Sequence, residues 1–191
     1  MVIIIVLDNS GLELISDLLL IEYLLKSYPS IVINLHVKQY PTFISDTTKW
    51  DLFHTLDTLL DSKEGYYITL GQAIMNFITQ SRLVVLENPC WTYPILFDEI
   101  SAYLPEIRTS DLFIFKGDAN FRRLALDRLW PNSTPFSKVV GYFPTSVASF
   151  RTLKSELVVG IEEEKKKYAQ NQDPHWMENG NWGTIQFVRK P

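Results

Sequence analysis

Val2-Ile3-Ile4-Ile5-Val6-Leu7 is an unbroken apolar run, mostly β-branched, that stops at Asp8-Asn9-Ser10-Gly11 before a helical pattern begins at Leu12. A continuous apolar strand of this kind is buried on both faces, as a central strand of a parallel sheet is. In open α/β sheets, ligands sit in the crevice beyond the carboxyl ends of such strands. Asp8 and Asn9 stand at that point and carry hard oxygen donors. Both side chains also suit the turn and could cap the helix that follows, since each can accept from free helix N–H groups. The strand alone leaves capping and ligand binding open.

The segments downstream repeat the alternation. Gly11 to Ser27 places apolar residues at 12, 15, 18, 19, 21, 24 and 25, a helix with a broad buried face. Ile31 to His36 reads as a second strand, and its loop runs through Lys38 and Pro41 to Ser45-Asp46-Thr47-Thr48. Trp50 to Leu60 and Ile68 to Gln80 read as helices, and Leu83 to Leu86 as a third strand. Phe97 to Tyr103 is a short helix before Pro105, and Asp111 to Phe115 is a fourth strand ending in Lys116-Gly117-Asp118. Phe121 to Leu129 is helical, and Asn132 to Pro144 is a turn-rich connection. The run Leu157-Val158-Val159-Gly160 is expected to be the last strand of the main sheet. Glu162 to Lys167 is a solvated charge run, and Thr184 to Val188 alternates as an edge strand does. Strand and helix in turn predict an α/β fold, a three-layer sandwich around a doubly wound, mainly parallel sheet, with residues 1–191 as a single domain.

Composition narrows the function. Eighteen basic against 22 acidic residues give a net charge of −4, without the basic footprint that nonspecific nucleic-acid binding needs. Leu14 to Leu25 is apolar but interrupted by Asp17 and Glu22, and it falls short of the ~20 residues that span a bilayer, so no membrane partner is expected. The N-terminus lacks the basic segment of a secretory signal. Cys90 is the only cysteine, which rules out an internal disulfide and fits a reducing, cytoplasmic setting, with the nucleus as the other candidate. Between Pro89 and Trp91 it reads as packing rather than as a nucleophile.

Polar residues cluster at the ends of the predicted strands: Asp8 and Asn9, Asp46 after its loop, and Lys116-Gly117-Asp118 with Asn120. Arg151-Thr152-Leu153-Lys154 adds a fourth group. Two carboxylates and an amide suit a hard divalent cation such as Mg²⁺ or Mn²⁺. His36, His54 and His175 have no metal-ligand spacing. Lys116, Arg151 and Lys154 supply the opposite charge, which a phosphoryl group needs. Read by spacing alone, the same residues also fit helix caps and surface ion pairs.

The stretches LDNSGLELISDLLLIEYLL, HVKQYPTFISDTT, DLFIFKGDANFRRLALDRLW and FRTLKSELVVG resemble the damage-control phosphatase family, also called the acidic-residue methyltransferase family. They are similar to its sugar-phosphate subgroup, which carries an RTxK motif. The resemblance implies a metal-dependent phosphatase acting on small phosphorylated metabolites such as fructose 1-phosphate. It makes Asp8, Asn9 and Asp46 the metal ligands, with Mn²⁺ as the cation and Ni²⁺, Co²⁺ and Mg²⁺ as the other candidates. It places substrate against Asp8, Asn9, Asp118, Ala119, Asn120, Phe121 and Arg122, and assigns the phosphate to Lys154, helped by Arg151 or Lys116. Asp8 and Asp118 are then the catalytic pair, Asp118 orienting water or substrate hydroxyls and Asp8 acting as a ligand or itself attacking phosphorus.

Two other readings follow from the same resemblance. One is a carboxyl methyltransferase using S-adenosylmethionine, although no GxGxxG loop follows a strand here. The other is a non-catalytic remnant. Family members carry a helical region before the LDN strand, and this chain opens on that strand, so it is expected to be the C-terminal α/β part alone. Leu12, Ala119 and Phe121 depart from the usual Phe, Leu and Tyr and read as packing changes. No feature assigns an oligomeric state.

Overall fold

A computed structural model describes residues 1–190. Within it the chain divides into two compact units, one made of Met1–Tyr93 with Thr109–Asp111, the other of Pro94–Arg108 and the residues from Leu112 onward. Both are α/β.

In the first unit, strands β1 (Val2–Val6), β2 (Val32–Val37) and β3 (Leu83–Glu87) run parallel in the order β3-β2-β1. Helices α1 (Leu12–Ser27), α2 (Lys49–Leu60) and α3 (Gly65–Thr79) connect them. The opening apolar run behaves as its composition dictates, for Ile3 through Leu7 are all buried. Leu14, Leu18, Ile21 and Leu25 of α1, Leu52 and Leu56 of α2, and Leu70 and Ile74 of α3 complete this core. Each such side chain contributes about 1.5–3 kcal/mol by leaving water, which holds the strand ends at fixed positions.

The second unit orders β4 (Leu112–Lys116), β5 (Ser146–Thr152) and β6 (Gly183–Val188) as β4-β5-β6. The pair β4–β5 is parallel and β5–β6 antiparallel. Its helices are α4 (Asp118–Leu124), α5 (Phe136–Val139) and α6 (Glu163–Gln172). Phe97, Phe113, Phe115 and Phe143 form an aromatic core, with ring centroids between 5.0 and 5.6 Å apart. Among the described residues, no helix is long and apolar enough to cross a membrane.

The α/β class and the mainly parallel strands agree with the sequence reading. The last strand before the edge does not. Ser146–Thr152 forms it, while Leu157 to Gly160 is irregular, with Leu157, Val158 and Val159 buried. The reason is where that segment's carbonyls go: Leu157 accepts from Arg151 Nη1 (2.6 Å), Val158 from Asn132 Nδ2 (2.8 Å) and Val159 from Gln186 Nε2 (2.9 Å). Three side chains satisfy a backbone that a strand ladder would otherwise have to serve. Helix α4 stops at Leu124 instead of running to Leu129, because Leu126 and Asp127 turn left-handed at φ 58° and 46°. The expected helix at 97–103 is replaced by the 3-10 turns Ile100–Ala102 and Pro105–Arg108.

Candidate functional site

At the carboxyl end of β1 the chain is wedged open by a third segment. Leu7 N–H still donates to the His36 carbonyl (3.0 Å), but one residue later Thr47 N–H donates to the Asp8 carbonyl (2.7 Å). On its other side Lys38 N–H donates to the Thr47 carbonyl (2.9 Å). Ser10 N–H reaches the Ser45 carbonyl (2.8 Å), and Asn9 pairs with Asp46 as an antiparallel bridge. Two stretches far apart in the sequence are thus zipped together, and Asp8, Asn9 and Asp46 arrive in one place. Asp8 is 5% exposed and Asp46 3%.

The side chains interlock as well. Asn9 Nδ2 donates to Asp8 Oδ2 and to Glu13 Oε2, each at 2.8 Å, and Asn9 Oδ1 accepts from Ser45 Oγ at 2.6 Å. One oxygen of Asp46, Oδ2, accepts from the backbone N–H groups of Thr42 and Phe43, both at 3.0 Å. Capping does not explain these residues. The N-cap of α1 is Gly11, at φ 74° and with no side-chain cap, and the N-cap of α2 is Thr48, which forms a capping box with Asp51. Neither Asp8 nor Asn9 caps α1, and Asp46 does not cap α2.

The second unit carries a cluster of its own, centred on Asp118, the first residue of α4. Its Oδ1 accepts from Arg151 Nη2 (2.5 Å), Ser155 Oγ (3.3 Å) and the Lys154 backbone N–H (3.3 Å). Arg151 is buried, stacked 4.0 Å over the Phe121 ring. Burial lowers the pKa of its guanidinium and the adjacent Asp118 raises it back only in part, yet an arginine stays charged. Arg151 therefore anchors Asp118. Lys154 is exposed. Asn120 is buried and donates to the Lys116 carbonyl at 2.8 Å, and Arg122 is exposed and paired with Asp127 at 2.9 Å. That pairing raises the Arg122 pKa. Ala119 is half-buried, and Lys116 lies 6.0 Å from the Phe150 ring centroid. The structure thus gathers Asp8, Asn9 and Asp46 in the first unit, and Asp118, Arg151 and the Lys154 backbone in the second.

Sequence reasoning passed over Glu13, Ser45, Lys38 and Ser155. Glu13 stands in the first turn of α1 and is reached by Asn9 from the loop before the helix, so helical spacing does not link the two. Ser45 and Ser155 touch their partners only through the folded loops.

A sequence profile of the damage-control phosphatase ARMT1-like domain matches residues 2–169. The chain belongs to that family. It is 34% identical to damage-control phosphatase ARMT1 of Danio rerio over 188 residues, covering 96% of this chain and 42% of that protein. For the ARMT1 proteins of Bos taurus and Homo sapiens the identities are 35% and 32%, again over 96% of this chain and 43% of each protein. The chain therefore spans less than half the length of the curated relatives it matches.

Among the described residues no group of three His, Cys, Asp or Glu side chains is placed to hold a metal ion. The cluster at the end of β1 offers two carboxylates and one amide instead, an all-oxygen set that fits a hard cation. The fit asks for one adjustment, because the Asn9 amide now turns its nitrogen, not its oxygen, toward the Asp8 and Glu13 carboxylates.

Proposed function

We propose that this chain is the α/β part of a metal-dependent phosphatase that hydrolyses small sugar phosphates such as fructose 1-phosphate. One observation carries the reading: segment 45–47 is hydrogen-bonded across residues 8–10, so three buried or half-buried oxygen-bearing side chains from separate loops meet with no capping role to explain them. Membership of the damage-control phosphatase family supports the reaction class.

Asp8, Asn9 and Asp46 would hold the cation, Mn²⁺ in the first instance. When bound, such a cation polarises a phosphate oxygen and makes a bound water more acidic. The backbone N–H groups of Thr42 and Phe43 keep Asp46 aimed by fixing one of its oxygens. In the second unit, the Arg151, Ser155 and Lys154 hydrogen bonds hold Asp118 ready to orient a substrate hydroxyl or water. The exposed Lys154 ammonium is available to a phosphate dianion. Carboxyl methyl transfer is not favoured by any feature of either cluster.

The test is phosphate release from fructose 1-phosphate, with and without Mn²⁺, for the parent and Asp46→Asn. Phosphoryl transfer depends on positioning and charge stabilisation, so losing this ligand lowers kcat by roughly 100-fold or more. Equal rates would remove Asp46 from the metal site. Mn²⁺ raises the melting temperature of the parent and not of the variant.

A further inference from the structure

Lys38 lies 3% exposed, in a chain whose other lysines mostly reach solvent. Lysine is almost never buried without a compensating charge. Its neighbourhood is the wedge described above. Its backbone N–H holds the Thr47 carbonyl, whose residue in turn donates to Asp8, so Lys38 stands two ladder rungs from Asp8. Lys38 also bridges Thr48, while Asn9 bridges Asp46. Directly paired residues share a side of the ribbon, and so do residues two apart on a strand. Thr48 and Asp46 are two apart, so Lys38, Thr48, Asp46 and Asn9 share one side.

We propose that Lys38 is a positioning residue of the metal-dependent phosphatase site, whose ammonium sets the charge of the cation pocket so that the loaded pocket accepts an anion. The inference rests on the phosphatase reading. Asp8, Asp46 and Glu13 carry three negative charges into the cluster. A divalent cation leaves one of them uncompensated, and a phosphate dianion approaching that site is repelled. The single charge on Lys38 brings the loaded cluster to neutrality. The same charge opposes the cation, so Lys38 trades cation affinity for anion affinity.

This gives a test in which the two affinities move in opposite directions, as loss of folding or of packing cannot make them do. Calorimetric titration of the full chain with Mn²⁺ alone, and of the Mn²⁺-loaded protein with inorganic phosphate, is run on the parent, Lys38→Met and Lys38→Gln. The expected result is an Mn²⁺ Kd about tenfold lower and a phosphate Kd about tenfold higher in the variants, for charges interacting across a partly screened interior. Unchanged affinities, or both weakened together, overturn the proposal. So does loss of folding in both variants, which makes Lys38 a purely structural ion-pair partner. An absence of Mn²⁺ binding by the parent is a different failure: it refutes the metal reading itself, and this inference with it.

Discussion

His36 makes the stability of the first unit depend on pH in a calculable way. The residue is the last but one of β2, is 1% exposed, and its Nδ1 accepts from Trp91 Nε1 at 2.9 Å. Accepting at Nδ1 fixes the neutral tautomer with its proton on Nε2. A second proton would put a donor on Nδ1 facing the indole N–H and would bring a charge out of water. Burial accordingly lowers the His36 pKa from 6.5 to about 4. The folded chain then binds this proton less readily than the unfolded chain does. Its contribution is fully present above pH 6.5 and is lost as the pH falls from 6.5 toward about 4. The whole gap corresponds to about 3 kcal/mol, of which about 2 kcal/mol falls between pH 7 and pH 5. Urea unfolding at pH 7, 6 and 5 measures it, with His36→Gln as the reference because a glutamine oxygen can still accept from Trp91 and cannot be protonated. Carboxylates titrate alike in both proteins and cancel in the difference. The parent loses about 2 kcal/mol more than the variant over that window. Parallel curves would show that His36 titrates normally, and the burial argument would fall.

Two further predictions concern residues that hold the clusters in shape. Asp118→Ala leaves the buried Arg151 guanidinium without its carboxylate and costs about 3 kcal/mol in denaturant unfolding; replacing Arg151 by Met in the same chain recovers most of that loss, and no recovery would show that Asp118 stabilises by some other contact. Thr48→Ala removes a hydroxyl that accepts from Asp51 N–H at 3.3 Å and donates to its Oδ2 at 2.6 Å, which costs about 1 kcal/mol, read as a lower melting temperature; an unchanged midpoint would mean that the cap contributes nothing.

How much of this could be seen in the sequence depends on how local each feature is. The Val2–Leu7 run could be read because burial on both faces needs an uninterrupted apolar strand, and nothing distant has to be known. Leu157 to Gly160 was misread for the complementary reason. Its apolar side chains are as buried as a strand's, with Val158 packed beside Leu153 and Trp176. Its carbonyls, however, are met by Asn132, Arg151 and Gln186, and no local pattern announces three side chains arriving from elsewhere. β5 was hidden in turn by Ser146, Ala148 and Ser149, small or polar residues that are at least half-buried and so break the apolar signal.

The same distinction accounts for the site. Asp8, Asn9 and Asp46 were identifiable as polar residues after strands, but capping was an equal claimant while helix starts were known only to within a few residues. The structure decides this by moving the caps. Gly11 lies three residues past Asp8, and Thr48 two past Asp46. Each carboxylate is thus held in a loop between a strand end and a helix start, with no helix N–H group to satisfy. Burying two carboxylates there is costly unless positive charge or donors arrive with them. Thr42 and Phe43 N–H groups meet part of that need at Asp46, and a buried lysine, Lys38, stands on the same wedge. Stability alone gives no reason to collect Asp8 and Glu13 around the Asn9 amide with Asp46 bridged to the same residue. The arrangement is sensible if a divalent cation joins them, and the buried lysine beside it is sensible if an anion comes next.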